Sequence, residues 1–239
     1  MKTFAVLAAL APIISAQELC DQFGYVAKDG WAFNNNAWGS GSGQGSQCTT
    51  VDSTDPSSGC SWHSTWTWSG GENNVKSYPY SGRVLDQKPL MSSISSIPSH
   101  ADWTYSGDPN IRADVAYDLF TAADPNHDPS SGDYELMIWL ARKGSIYPIG
   151  QSTGTVNIGG SDWELWDGYN GAMHVYSFVA PSDVNKIDLD INSFFNHLTA
   201  NKGYPAGNQY LLTAQFGTEP FTGGPATFTV NNWSAYVNQ

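Results

Sequence analysis

Residues 61–68 read Ser-Trp-His-Ser-Thr-Trp-Thr-Trp, which sets Trp62, Ser64, Trp66 and Trp68 on one side of an extended chain and Ser61, His63, Thr65 and Thr67 on the other. Side chains of a strand alternate between faces, so this spacing belongs to a sheet and to no helix. Five further stretches, 114–120, 134–141, 172–179, 210–216 and 226–233, are short, aromatic or β-branched, and bounded by Gly, Pro, Asn or Asp. Only 184–201 has helical spacing, through Ile187, Ile191, Phe194, Phe195 and Leu198, with Lys202-Gly203 as its last turn and stop. Many strands and one helix predict an all-β sandwich or jelly roll of two packed antiparallel sheets. The tryptophan stripe of 61–68 is expected to pack as core, and the GSGQGS run at 41–46 to form a hairpin loop.

The chain begins Met1-Lys2, continues with an apolar stretch from residue 4 to 14, and reaches Ser15-Ala16-Gln17. A short basic start, an apolar middle and a small residue before the cut describe a secretory signal peptide. Residues 1–16 are therefore read as the signal and 17–239 as one domain, since no linker composition or fixed-period repeat follows. No other apolar run approaches the ~18 residues of a membrane span. The expected protein is secreted and has no membrane partner. In an oxidising compartment Cys20, Cys48 and Cys60 should give one disulfide and one free thiol, with three pairings open.

Twenty-two acidic and 10 basic residues give a formal charge of −12, or −13 once Lys2 is removed. That sign excludes an electrostatic nucleic-acid binder, which needs clustered Lys and Arg. The histidines at 63, 100, 127, 174 and 197 form no H-x-H or H-E-x-x-H pair, so neither a metal ion nor a cofactor is expected. Asp124, Asp128 and Asp133 crowd one loop but lack the spaced ligands of a calcium loop, and are read as turn formers. Asn232-Trp233-Ser234 is a glycosylation sequon inside a strand-like segment. Phosphate-loop and serine-elbow motifs are absent. Carboxylate chemistry among aromatics remains.

Glutamate occurs only at 18, 72, 135, 164 and 219. Glu18 and Glu72 lie in polar loop-like stretches. Glu135 lies in YELMIWLA at 134–141, where Leu136, Ile138 and Leu140 form one face and Glu135, Met137 and Trp139 the other. A carboxylate on such a covered surface is costly without partners, which marks it as functional. Glu219 follows the strand-like 210–217, whose Gly217 permits close approach of a backbone or ligand. Two such carboxyls among Trp and Asn suit glycosidic cleavage: one attacks or activates water, and the other stays protonated for the leaving oxygen. The net charge suits a neutral polysaccharide better than an anionic one. A non-catalytic carbohydrate-binding sandwich would share the aromatics without needing paired glutamates. A jelly-roll xylanase would use two glutamates in other flanking motifs.

These residues bring a resemblance into view. NNNAWG at 34–39, WTWSGG at 66–71, NVKSY at 74–78, NIRADVAYDLFT at 110–121, GDYELMIWL at 132–140 and QFGTEPFTG at 215–223 resemble glycoside hydrolase family 12 over essentially the whole mature chain. Ala141-Arg142, WELW at 163–166 and GGPAT at 223–227 are most similar to its fungal xyloglucan-specific endo-β-1,4-glucanases. The resemblance implies a β-jelly roll with one α-helix and a concave substrate cleft. It implies Glu135 as nucleophile, Glu219 as acid/base, and Asp118 bonded to the nucleophile. It implies that Asn36 and Trp38 hold and stack a sugar, and that Met137 and Trp139 line the cleft. It further implies a Cys20–Cys48 disulfide, with Cys60 outside the shared pattern. The substrate so implied is a plant cell-wall β-glucan, xyloglucan, cleaved by a monomer, with unbranched or mixed-linkage β-glucan as the alternative.

Overall fold

The structure, a computed structural model, describes residues 17–239, and the signal-peptide expectation for 1–16 lies outside them. Its strands form two layers. The smaller sheet runs, in spatial order, β1 (Gln17–Leu19), β4 (Gln44–Asp55), β5 (Gly59–Ser69), β15 (Pro220–Ala235), β7 (Pro98–Gly107) and β13 (Lys186–Asp190). The larger runs β2 (Tyr25–Lys28), β3 (Trp31–Asn34), β6 (Tyr80–Arg83), β14 (Tyr210–Gly217), β8 (Arg112–Ala122), β9 (Tyr134–Lys143), β12 (Met173–Val179), β11 (Ser161–Asn170) and β10 (Gln151–Ile158). β15 joins the layers, because Pro220 and Thr222 pair with β8 before the strand enters the smaller sheet.

The all-β jelly roll is as expected, with one addition: β12 runs parallel to β9, from His174 opposite Tyr134 to Val179 opposite Trp139. After β9 the chain passes to the outer edge as β10 and returns inward by two hairpins, which leaves β12 pointing the way β9 points. The helical expectation over 184–201 is half right. α1 spans Asn192–Lys202, burying Phe194, Phe195 and Leu198, and ends at left-handed Gly203. Residues 186–190, Lys-Ile-Asp-Leu-Asp, alternate perfectly and form β13 at the sheet edge. Asp190 makes the change of structure, its Oδ1 accepting the N–H of Asn192 at 3.0 Å and of Ile97 at 2.6 Å. The 41–46 run is only partly a loop, since β4 already begins at Gln44.

The core lies between the layers. Trp62 packs edge-on to Phe228, and Phe216 stacks with Trp233. Trp66 and Trp68 are buried in a smaller cluster with Ile111, Ala113 and Ala226, so the tryptophan stripe is core as expected. Replacing one such indole by Ala should cost about 3–5 kcal/mol. Cys20 and Cys48 form a disulfide across 28 residues, worth about 3–4 kcal/mol by loop closure. Cys60 is free and 2% exposed, its thiol pushed up to about 12 by burial. Asp124, Asp128 and Asp133 each accept a backbone N–H within their loop, from Asn126, Ser130 and Ala123. Asn232 lies half-buried inside β15.

Candidate active site

β9 separates its faces as the sequence predicts. Leu136, Ile138 and Leu140 enter the main core, while Met137 and Trp139 join Ala116, Val179 and Phe221 on the far side of the larger sheet. Strand register extends that far face into rows. One row carries Gln215, Asp118, Met137, Ser177 and Trp166. The row on one side holds Phe120, Glu135 and Val175, and the row on the other Ala116, Trp139, Val179 and Glu164. Asp114, Ala116, Asp118 and Phe120 follow one another along β8 on this same face by the period of two.

Glu219 sits in the turn between β14 and β15, and Asp114 holds it there. Asp114 Oδ1 accepts the Glu219 N–H at 2.8 Å, and Thr218 Oγ1 donates to the Asp114 carbonyl. Sequence reading passed over Asp114, although its four-residue spacing from Asp118 on one strand was the available signal. Asp114 is wholly buried, Asp118 and Glu135 are 6% and 9% exposed, and Glu219 is half-buried.

Four carboxyls therefore share one poorly solvated space. Burial pushes Glu135 up to about 8, and the charge of Glu219 adds to the shift. Burial also raises Glu219, against the lowering effect of its bond to Asp114. Asp118 is raised well above the carboxylate range by burial, then by Glu135 and Glu219. Asp114 is raised likewise, by burial and then Glu219. Glu135 and Glu219 accordingly titrate as a pair that retains a proton where an isolated glutamate has lost it. Asp118 Oδ1 and Asp114 Oδ2 are buried without a hydrogen-bond partner, so the bond to Glu135 that the resemblance implies is not made through Asp118 Oδ1. Tyr78, which donates to the Ala116 carbonyl at 3.0 Å, closes the cluster from the β6 side and was also missed from sequence.

The remaining expected residues divide by exposure. Trp38 is 53% exposed on a loop between β3 and β4. Asn36 takes a positive φ of 42°, a conformation Asn tolerates, with its N–H donated to Asn34 Oδ1 at 2.7 Å. The loop is tied down by Gly39 N–H to Lys76 O at 3.0 Å and Tyr78 N–H to Asn36 O at 3.0 Å. Lys76 N–H in turn donates to Pro220 O at 2.9 Å, so residues 76–78 lie between the Trp38 loop and the Glu219 turn. Met137 and Trp139 form the floor beside Glu135, with Trp139 Nε1 donating to Met137 Sδ at 3.5 Å. Trp139 is 2% exposed and packs beneath the surface.

The family described as glycosyl hydrolase family 12 matches residues 29–238. Endoglucanase A of Aspergillus kawachii is 53% identical, with all of both chains covered. Xyloglucan-specific endo-beta-1,4-glucanase A of Emericella nidulans is 44% identical over 99% of this chain and 98% of its own. Among solved structures, Trichoderma harzianum endoglucanase 3 superimposes with a TM-score of 0.91 at 53% identity, covering 95% of this chain and 100% of that one.

Proposed function

The chain belongs to glycosyl hydrolase family 12, and from that premise we propose that it is a secreted, retaining endo-β-1,4-glucanase acting as a monomer on plant cell-wall xyloglucan. Endoglucanase action on β-glucan is its family activity. The observation that carries the retaining reading is the pairing of Glu135 with Glu219, the first buried and the second half-buried, both raised, and each felt by the other or by the Asp beside it. A retaining pair stands about 5–5.5 Å apart, and like charges at that range do not both ionise.

In the first step a Glu135 oxygen bonds to the anomeric carbon as the bond to the leaving chain breaks. The proton on Glu219 passes to the departing oxygen. Water then attacks the glycosyl ester, gives a proton back to Glu219 and releases Glu135 as carboxylate. Net change is one water added across one glucosidic bond, with two inversions giving retention. Asp118 holds its own proton beside Glu135 and adds no third charge while the ester forms. Trp38 and Asn36 lie across residues 76–78 from Glu219, where a ring face and an amide can grip one end of the glucan. Met137 and Trp139 fill the floor so that water reaches the anomeric carbon only from above.

NMR of freshly released ends tests retention: β anomers are expected, and α anomers would replace nucleophilic attack with inversion. Reducing-end release from xyloglucan, carboxymethyl cellulose, mixed-linkage β-glucan and xylan tests the substrate. The reading expects xyloglucan to be turned over best. The Aspergillus kawachii endoglucanase likeness favours a second reading, an enzyme of unbranched β-1,4-glucan, which predicts the reverse order.

A further inference from the structure

Beyond Glu135 the concave face opens, toward the β10–β11–β12 end, into a cavity of about 260 Å³ lined by Arg142, Ser152, Thr155, Asp162, Glu164 and Val179 among others. Glu164 is the register partner of Val179, which is the partner of Trp139. The cavity thus reaches from Arg142 on β9 across Val179 on β12 to Glu164 on β11 and Thr155 on β10, with Glu164 two strands out from β9, roughly 10 Å at the usual strand spacing. It is on the same face as Glu135. Trp166, in the adjacent row, approaches the Tyr147 ring at 5.8 Å, and the Arg142 guanidinium lies 4.9 Å from that ring. Tyr147 is 61% exposed, so an aromatic surface stands open beside the cavity.

The lining states what the cavity can hold. Arg142 only donates, while ionised Glu164 and Asp162 only accept, and Ser152 and Thr155 do both. Glu164 is kept below the usual carboxylate range, first by hydrogen bonding from Ser152 and also by the charge of Arg142. Neighbouring hydroxyls on one sugar ring can accept from the guanidinium and donate to the carboxylates at once. An anionic ligand would meet two carboxylates. The volume is below the range of drug-sized sites, room for one monosaccharide ring and not for a chain.

We propose that this cavity receives a monosaccharide branch of a glucan whose main chain crosses Glu135, and that Arg142 and Glu164 are the groups that recognise it. This deepens, and rests on, the reading of the substrate as branched xyloglucan. The main chain needs none of these contacts, so their loss should be felt by a branched polymer alone.

The test is the ratio of kcat/KM on xyloglucan to kcat/KM on mixed-linkage β-glucan, measured for the wild type, Thr155→Phe and Glu164→Gln. Thr155 is exposed on the edge strand β10, where Phe fills the cavity from a position that tolerates it. Glu164→Gln keeps the shape and removes the ionised acceptor. Filling should lower the ratio about tenfold, and the amide should lower it about threefold, mostly through KM, with the β-glucan value moving less than twofold. An unchanged ratio in both variants, each with a wild-type melting curve, would overturn the cavity as a branch site, and so would an equal loss on both polymers. The wild-type ratio by itself judges the xyloglucan reading. A wild type indifferent to branches whose ratio still drops in the variants would refute that reading and keep the cavity.

Discussion

Two of the polar clusters buried in this protein are built on opposite rules. Between β3, β4 and β5 lies a neutral one. Asn35 Nδ2 donates to Asp21 O and Gln47 O, Gln47 Nε2 donates to Asn35 O at 2.6 Å, Thr49 Oγ1 donates to Asn35 Oδ1 at 2.9 Å, and Ser77 Oγ and Trp68 Nε1 both donate to Gln47 Oε1. Even the charged neighbour, Lys76, spends its three ammonium protons on the carbonyls of Gly71, Asn74 and Phe221. On the other side of residues 76–78 lie Asp114, Asp118, Glu135 and Glu219, where Asp114 Oδ2 and Asp118 Oδ1 are buried without partners and the carboxyls raise one another's proton affinity. A satisfied network fixes loops at no electrostatic cost, while an unsatisfied one destabilises the fold and stores proton affinity that chemistry can use. The first cluster positions the Trp38 loop; the second waits on substrate.

Breaking the second cluster should cost activity and spare the fold. Glu135→Gln or Glu219→Gln is expected to lower kcat on β-glucan by at least about 10³-fold, with a melting temperature no lower than wild type. A purified variant keeping a tenth of wild-type turnover would remove that residue from the chemistry. Breaking the first cluster should do the reverse. Gln47→Ala strands Asn35 and Ser77 and is expected to lose about 2–3 kcal/mol in denaturant unfolding, with kcat per folded molecule unchanged. Loss of kcat without loss of stability there would erase the distinction. A smaller effect is expected at Asp118→Asn, which keeps the neutral shape but has no acid proton to share with Glu135: turnover should fall roughly tenfold, and unchanged kinetics would exclude Asp118 from the site.

The smallest effect sharpens the comparison through pH. Glu135 has its folded value raised from 4.5 to about 8 and titrates together with Glu219, so the folded pair holds a proton longer than the unfolded chain does. Its contribution to stability is present in full below pH 4.5 and is lost as pH climbs toward 8. Melting temperature should accordingly decline more steeply over that window in the wild type than in Glu135→Gln. Equal slopes would mean that the buried carboxyl does not titrate as described. Gln47→Ala, which touches no titrating group, should keep the wild-type slope.

Much of this site could be read from the chain because it obeys local rules. Glu135 stands out in 134–141 since an alternating strand leaves no ambiguity about its face, and glutamate is scarce. Local rules also misled. Ile187 falls at helical spacing from Ile191, yet the alternation of 186–190 and the exposed edge of β7 made it a strand. Asp114 has the same period-two relation to Asp118, but its bond to Glu219 N–H spans 105 residues and no pattern reports that. The cavity at Arg142 and Glu164, and the parallel pairing of β9 with β12, depend on the order in which distant strands settle side by side. Pairing among the three cysteines was open to composition, and only the family resemblance chose between them.

Cys60 carries a practical consequence. Its sulfur is the one thiol outside the disulfide, and it lies in the main core beside β15, the strand that ties both layers together. A water-soluble alkylating reagent cannot touch it until the layers part, so the rate of labelling in native buffer would clock spontaneous opening of the sandwich. Hydrolysis followed on the same sample would then tell whether turnover survives each such excursion or ends with it.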